Sequence, residues 1–167
     1  MSSITSLPNY PLTNLATAEF TETTRAFKGT PTVIDFWTTK CTRCPAALDE
    51  LDAMASSPTY KNVKFASICC DLCDGAREIL EQTDEPRWSH VDHYFMGFEY
   101  KELAKKVLGF KSVPFIVVLN EEGEIVQMGG KKQIDFDNIP GMIKESSPRG
   151  VEETNFGDRS FVLDMDF

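Results

Sequence analysis

Two cysteines separated by two residues, Cys41 and Cys44, are the side chains of this sequence with the clearest capacity for chemistry. This spacing allows the two thiols to close as a disulfide and to reopen, which is the basis of thiol–disulfide exchange. A β-rich run precedes the pair, and Pro45 opens a predicted helix, because proline is favoured in a first helical turn. The N-terminus of a helix stabilises a thiolate. We therefore predict Cys41 as the nucleophile and Cys44 as the covered, resolving thiol.

Two cations flank the first of these cysteines. Lys40 precedes Cys41 and Arg43 follows two positions later, so both charges should favour the thiolate and lower its pKa. They also place positive charge at the mouth of the predicted site, around Cys41, in a chain whose net charge is −9. The same cysteine spacing occurs in zinc knuckles and in pairs of inert core thiols, and these are the alternatives to a redox site.

The elements that must position the pair follow from hydrophobic patterning. A near-continuous apolar run at residues 32–38 predicts a strand buried on both faces. Further predicted elements are a helix at 17–28, the helix from Pro45, a strand at 63–70, a short helix at 74–82, a helix at 99–108, a hairpin of strands at 113–119 and 124–128, and a weak helix at 134–144. Residues 83–97 are predicted to be a polar insertion. This order predicts an α/β fold with a central mixed β-sheet flanked by helices on both faces.

Length and composition restrict the class of protein. The 167 residues, 41% of them hydrophobic, predict one globular domain at 12–145, with a flexible lead-in at 1–11 and a tail at 146–167. The negative charge argues against nucleic-acid binding, and the lack of an 18-residue apolar run argues against a membrane span. The N-terminus has no secretory pattern and the five cysteines are an odd number, so we expect a reducing, cytoplasmic location.

Two stretches resemble the thioredoxin superfamily. They are VIDFWTTKCTRC, from Val33 to Cys44, and GFKSVPFIVVL, from Gly109 to Leu119, and the resemblance extends over about residues 12–145. It implies a thioredoxin-like fold and a thiol-disulfide oxidoreductase that reduces protein disulfides. Electrons would come from a thioredoxin-reductase-type enzyme or from a small thiol such as glutathione or trypanothione. No separate bound cofactor is implied, and no metal.

The resemblance also implies roles for single residues. Asp35, six positions before Cys41, matches the buried acid that exchanges a proton with the resolving thiol. An acid within an apolar strand should have a raised pKa, which suits that task near neutral pH. Pro114 matches the cis-proline that, with Val113, presents backbone to an extended substrate. Trp37 matches the aromatic residue beside the active-site loop, although core packing alone would explain it.

The chain departs from the family pattern on the substrate-binding side of the loop. Lys40 stands where the family often has tryptophan, and Thr42 and Arg43 replace the common Gly-Pro, so neither substrate preference nor redox potential is inherited. The stretch between Cys70 and Val113 is longer than in compact thioredoxins. In this respect the chain is more similar to tryparedoxin-like and nucleoredoxin-like members.

A second cysteine cluster, Cys69, Cys70 and Cys73, closes the predicted strand at 63–70. In one interpretation, Cys69 and Cys70 are core residues on opposite faces of the sheet. Alternatively, Cys70 or Cys73 is a regulatory thiol that forms a second disulfide or a dimer. The third alternative joins both C-x-x-C pairs in a zinc or iron–sulfur site. His90 and His93 form a short H-x-x-H in the polar insertion, and we expect both to be solvated.

The end of the chain suggests a second kind of function. Residues 151–167 hold five acidic residues and one basic residue, and Phe161, Leu163, Met165 and Phe167 alternate with smaller or acidic residues. This period of two fits a strand that adds to a sheet edge, in this molecule or in a partner. A thioredoxin-fold adaptor that binds through its groove and this tail is thus the alternative to the enzyme, and a metal-binding module is the third.

Overall fold

The computed structural model describes residues 5–81 and 87–140, and within them a seven-stranded sheet forms the centre of the molecule. Its strands are β1 (Pro11–Asn14), β2 (Phe20–Glu22), β3 (Thr32–Trp37), β4 (Lys64–Cys69), β5 (Asp92–Phe95), β6 (Phe115–Leu119) and β7 (Ile125–Gly130). The helices are α1 (Thr23–Phe27), α2 (Cys44–Ala55), α3 (Cys73–Leu80) and α4 (Phe98–Leu108). In space the strands follow the order β2-β1-β5-β4-β3-β6-β7.

The middle of the sheet is the predicted strand before the cysteine pair. Every residue of β3 is buried, and β3 pairs in parallel with β4 and antiparallel with β6. Because β5 is parallel to β4 and the β6–β7 hairpin is antiparallel, the sheet is mixed. The prediction of an α/β fold built on a mixed sheet is therefore confirmed. The helix predicted from Pro45 and the hairpin are also present.

The N-terminal region differs from its prediction. The single helix expected at 17–28 is replaced by β2 and the short helix α1, because β1 and β2 pair as an antiparallel hairpin with Leu12 opposite Thr21. A turn precedes β2, with Ala18 in the left-handed region at φ 64°. Of the predicted helix only the five residues of α1 are helical, and two of these, Thr23 and Phe27, are buried.

The expected lead-in packs against the domain from residue 5 onward. Leu7 and Tyr10 are buried in the core, and Ser6 forms an isolated bridge with Glu124. At the other end of the domain, where a weak helix is predicted at 134–144, the structure has short 3-10 turns at Lys131–Gln133 and Phe136–Asn138 and is helical at the buried Ile139 and at Pro140. Residues 141–144 of this prediction lie outside the described residues. The predicted tail at 146–167 lies outside the described residues.

The polar insertion contains a strand that the sequence pattern did not reveal. β5 is seated between β1 and β4, in the interior of the sheet. Its neighbours Val91 and Met96 and its own Tyr94 are buried, while Asp92 is exposed. Only four residues long and containing Asp and His, β5 has too few apolar residues to show the alternation of a longer strand.

Candidate active site

The cysteine pair lies where β3 gives way to α2. Cys41 and Cys44 form a disulfide with a Cα–Cα distance of 5.4 Å, and Cys44 is the first residue of α2. Cys44 is completely buried, whereas Cys41 is partly exposed. Cys41 is therefore the more accessible of the two cysteines. The roles of Cys41 as nucleophile and Cys44 as resolving thiol stay a prediction.

The loop before the pair is fastened to the end of β4 by one acid. The Asp71 carboxylate accepts hydrogen bonds from the Thr39 backbone N–H, at 3.0 Å, and from the Thr39 hydroxyl, at 2.8 Å. Although burial acts in the opposite direction, these bonds and one from the Cys69 thiol lower the pKa of Asp71. Sequence reasoning missed this residue. Its position in the sequence was a usable signal. The parallel strands β3 and β4 end at the same edge of the sheet, so residues that follow them, such as Thr39 and Asp71, lie close together.

The segment of Val113 and Pro114 faces the disulfide. The peptide bond between these two residues is cis, as the resemblance implies. The Val113 carbonyl oxygen lies 3.6 Å from the Cys41 sulfur and accepts a hydrogen bond of 3.5 Å from the Arg43 guanidinium. The structure thus brings three of the predicted site residues into contact at a single backbone carbonyl.

The predicted cations at the mouth are exposed. Lys40, Thr42 and Arg43 all face solvent beside Cys41. Among the described residues, neither Lys40 nor Arg43 takes part in a salt bridge. Their charges are therefore available to a thiolate on Cys41 and to a bound substrate.

Asp35 occupies the middle of β3 and is completely buried. Among the described residues, neither of its carboxylate oxygens has a hydrogen-bond partner. Desolvation by burial raises the pKa of Asp35 well above its usual value, the direction expected from the sequence. Burial therefore favours the protonated form of this carboxyl group.

A chain of hydrogen bonds runs across the same face of the sheet. The Trp37 indole N–H donates to the Ser67 hydroxyl oxygen at 3.2 Å, and that hydroxyl lies 2.7 Å from His93 Nδ1. His93 Nε2 lies 2.9 Å from the Trp88 carbonyl oxygen. The expectation that His93 is solvated is therefore wrong, because β5 places its ring beside β4. His90 is exposed, as predicted, and its backbone N–H donates to Asp52.

Trp88 joins this face to the helix that carries Cys44. Its buried ring meets the Trp37 ring edge to face at a centroid distance of 6.0 Å, and its indole N–H donates to Asp49 of α2 at 2.7 Å. Helix α2 therefore lies over the face of the sheet that carries Asp35 and Trp37. The sequence left open whether Trp88 covers the sheet or rims the substrate groove, and the structure shows that it covers the sheet.

The second cysteine cluster has a different character. Cys69 and Cys70 are completely buried, as the core interpretation predicts, and Cys73 is partly exposed at the start of α3. Burial raises the pKa of Cys69 to about 12, and it raises the pKa of Cys70 well above its usual value. These environments argue against Cys70 as a regulatory thiol, since a fully desolvated thiol rarely ionises. The role of Cys73 as a regulatory thiol stays a prediction.

The metal interpretation gains no support from the arrangement of donors. Across residues 5–81 and 87–140, no group of three or more His, Cys, Asp or Glu side chains is placed to hold a metal ion. Both C-x-x-C pairs lie within these ranges, so they do not converge on a shared site. In the same ranges, no helix is long and apolar enough to cross a membrane.

The sequence matches no protein-family model and no curated protein. Solved structures are nevertheless similar in fold. The thioredoxin domain of a thiol-disulfide oxidoreductase from Bacteroides vulgatus has a TM-score of 0.66 and 15% identity, over 86% of this chain and 96% of that one. Yeast Sco1 with copper bound has a TM-score of 0.64 and 17% identity, over 92% and 94% of the two chains. An exposed lipoprotein thioredoxin from Streptococcus pneumoniae has a TM-score of 0.58 and 16% identity, over 83% and 99%.

Proposed function

We propose that this chain, whose fold is that of the thioredoxin superfamily, is an oxidoreductase that reduces protein disulfides through Cys41 and Cys44. One observation carries the proposal. A partly exposed cysteine and a fully buried cysteine are joined as a disulfide at the N-terminus of a helix, the Val113 carbonyl oxygen lies 3.6 Å from the Cys41 sulfur, and the preceding strand carries the buried acid Asp35. A protein that only binds partners does not require this combination of groups.

The reaction begins from the reduced pair. The Cys41 thiolate attacks one sulfur of the substrate disulfide, so that a mixed disulfide forms and the other substrate sulfur leaves as a thiolate. The Cys44 thiol then loses its proton to Asp35, and the resulting thiolate attacks the Cys41 sulfur. The Cys41–Cys44 disulfide forms and the second substrate thiolate departs. Two electrons have passed from the enzyme dithiol to the substrate.

Each part of the site favours one of these steps. The helix N-terminus and the exposed charges of Lys40 and Arg43 favour the thiolate of Cys41. The Val113 carbonyl, 3.6 Å from the Cys41 sulfur, offers a backbone acceptor to an extended substrate segment. Asp35, with its raised pKa, is a stronger base than an ordinary carboxylate, which favours proton transfer from the Cys44 thiol.

The proposal extends to the electron source and the location. Restoring the dithiol needs a reductant, and we assign this role to a thioredoxin-reductase-type enzyme or a small thiol such as glutathione or trypanothione. Both would be supplied in a reducing, cytoplasmic environment. Residues 151–167 are proposed as a docking segment for a partner, which deletion of this segment would test through partner binding and turnover.

The test is reduction of insulin, with dithiothreitol or a reductase as electron donor. We expect turnover by the wild-type chain and its loss in Cys41→Ser. Cys44→Ser should accumulate a covalent mixed disulfide with its substrate, which mass spectrometry detects and which would identify natural targets. Cys73→Ser is the matched control and should retain activity. An inactive wild-type chain, or activity that survives in Cys41→Ser, would favour the adaptor function instead.

A further inference from the structure

Hydrogen bonds join the second cysteine cluster to the loop of the first. The Cys69 thiol donates to the Asp71 carboxylate at 3.1 Å, and the same carboxylate accepts from the Thr39 backbone N–H at 3.0 Å and from the Thr39 hydroxyl at 2.8 Å. Thr39 stands two positions before Cys41. One carboxylate thus connects a buried thiol that the proposed reaction does not use to the loop that carries the proposed nucleophile.

The protonation states along this connection suit the hydrogen bonds. Burial raises the pKa of Cys69 to about 12, so this thiol keeps its proton and is a donor. Burial also acts against ionisation of Asp71, but the bonds from Thr39 and Cys69 outweigh it and lower the pKa of Asp71. The Asp71 carboxylate is therefore ionised near neutral pH and accepts from both partners. Hydrogen bonds to a charged acceptor are stronger than those between neutral groups.

The two ends of the loop are held in different ways. At the helix end, Cys44 begins α2 and is completely buried. At the strand end, the pairing of β3 with β4 extends to the Cys70 N–H, which donates to the Trp37 carbonyl oxygen at 2.9 Å. Thr39 comes after this point in the chain. The side chain of Asp71 therefore continues, at Thr39, the attachment that the strand pairing provides up to Trp37.

The loop also lies closely against helix α3. A Cβ atom at Gly75, in the first turn of α3, would be 3.3 Å from Thr39 Cγ2 and 3.3 Å from Leu72 Cβ. Both distances are shorter than an ordinary van der Waals contact. Thr39 is therefore fixed by the Asp71 carboxylate on one side and by close packing on the other.

A fixed loop affects the equilibrium between disulfide and dithiol. The disulfide forms only when the Cys41 sulfur reaches Cys44, whose place is set by the packing of α2. A loop that is already held near this position loses little conformational freedom when the bond closes, whereas a loose loop loses more. Such preorganisation raises the effective concentration of one thiol at the other. The hydrogen bonds of Asp71 therefore favour closure.

We propose that Cys69 and Asp71 position the Cys41 loop through Thr39, and so favour the Cys41–Cys44 disulfide over the reduced pair. This inference rests on the proposed function, because the same equilibrium sets how strongly the reduced pair donates electrons to a substrate. Cys69 is a hydrogen-bond donor that serves the redox pair and takes no part in thiol exchange. Cys69 and Asp71 are positioning residues, since they act through Thr39.

The test is the equilibrium of the chain with glutathione. When glutathione disulfide oxidises the chain, the Cys41–Cys44 bond forms, and the two glutathione sulfurs take up two electrons and two protons and leave as thiols. Acid quenching, alkylation of the free thiols and peptide mass spectrometry give the oxidised fraction of the pair over a range of glutathione ratios. Thermal melts followed by circular dichroism establish that each variant is folded.

Two substitutions remove the proposed contacts, and two conservative ones keep them. Asp71→Ala should lower the equilibrium constant for disulfide formation about tenfold, and Cys69→Ala about threefold. Asp71→Asn keeps an oxygen that accepts from Thr39, and Cys69→Ser keeps a donor to Asp71. Both conservative variants should recover most of the loss.

Thr23→Val is the matched control for a general loss of stability. The buried Thr23 hydroxyl also holds backbone, because it accepts from the Tyr10 N–H at 2.9 Å and donates to the Pro8 carbonyl oxygen at 2.7 Å. Its removal should lower the free energy of unfolding. The glutathione equilibrium of this variant should equal that of the wild type, since the hairpin of β1 and β2 is not part of the loop.

The outcomes are distinct. A wild-type chain that forms the disulfide with glutathione but does not reduce insulin would contradict the proposed function and not the role of the loop. An unchanged equilibrium in Asp71→Ala would overturn the inference, and an unchanged equilibrium in Cys69→Ala would overturn the part of Cys69. A loss in Thr23→Val as large as in Asp71→Ala would also overturn it, as would equal losses in Asp71→Asn and Asp71→Ala.

Discussion

The two cysteine clusters have the same C-x-x-C spacing and end adjacent strands, yet their environments are opposite. Cys41 is partly exposed beside the exposed Lys40 and Arg43, whereas Cys69 and Cys70 are completely buried beside Asp71. The acids differ in the same way. Burial raises the pKa of Asp35, while Asp71 is held ionised by donors from Thr39 and Cys69. Spacing alone therefore does not make a redox site, and the helix start, the charges and the access to solvent decide which cluster reacts.

The largest expected difference between the clusters is in reactivity. In the fully reduced chain, iodoacetamide should modify Cys41 at least about a thousandfold faster than Cys69 or Cys70, because the thiolate is the nucleophile and burial keeps those two thiols protonated. Peptide mass spectrometry at timed intervals measures each rate. If Cys70 were modified as fast as Cys41, the two clusters would not differ in reactivity.

The next effect concerns the acid that links them. Asp71→Ala leaves the Thr39 backbone N–H and hydroxyl without their acceptor, so the free energy of unfolding should fall by about 2 kcal/mol. Urea denaturation measures the loss. Glu78→Ala, at an exposed position of α3, is the control and should change stability little. Equal stability of the two variants would mean that Asp71 does not hold the loop.

Asp35→Asn should act in the opposite direction on stability. The folded chain holds the Asp35 proton more tightly than the unfolded chain, so the stability of the wild type falls as pH rises from the unfolded pKa towards the folded one. The stability of the asparagine variant does not fall in this pH range, because asparagine has no proton to lose there. It should therefore be more stable near neutral pH, by at least about 1 kcal/mol, and equal to the wild type in acid.

Urea denaturation at a series of pH values tests this sign. Turnover should decrease in the same variant, since Cys44 loses its base. A variant that is less stable than the wild type at neutral pH would show that the Asp35 carboxylate has a partner in the folded chain.

The smallest expected effect comes from the mouth of the site. Lys40→Ala and Arg43→Ala should each slow alkylation of Cys41 about two- to threefold near neutral pH and shift the alkylation curve to higher pH, because exposed charges act weakly. Added salt should reduce the difference between variant and wild type. Lys61→Ala, exposed elsewhere, serves as control. Unchanged alkylation curves would show that Lys40 and Arg43 do not stabilise the Cys41 thiolate.

The sequence predicted best those parts of the site that are formed by contiguous residues. The apolar run of β3, Pro45 after the pair and the distant Val113–Pro114 were enough to predict the strand, the helix and the residues that meet at the disulfide. These features depend on contiguous residues. They also belong to the two stretches that carry the resemblance.

The residues that were missed depend on pairing between distant segments. His93 was expected in solvent because its neighbours are polar, and only the place of β5 beside β4 brings it to Ser67. Asp71 was overlooked because its partner, Thr39, lies 32 positions away along the chain. The hairpin of β1 and β2 likewise overrode a helical spacing that the residues from Phe20 to Phe27 display.

The edge-to-face contact of Trp37 and Trp88 gives the molecule an internal optical reporter. These are the only two tryptophans of the chain, both are buried, and both indole N–H groups are hydrogen-bonded, one to Ser67 and one to Asp49 of α2. All tryptophan fluorescence therefore arises from the layer between the sheet and the helix that begins at Cys44. Changes in its intensity or wavelength on reduction of the disulfide report events at this layer, without a label.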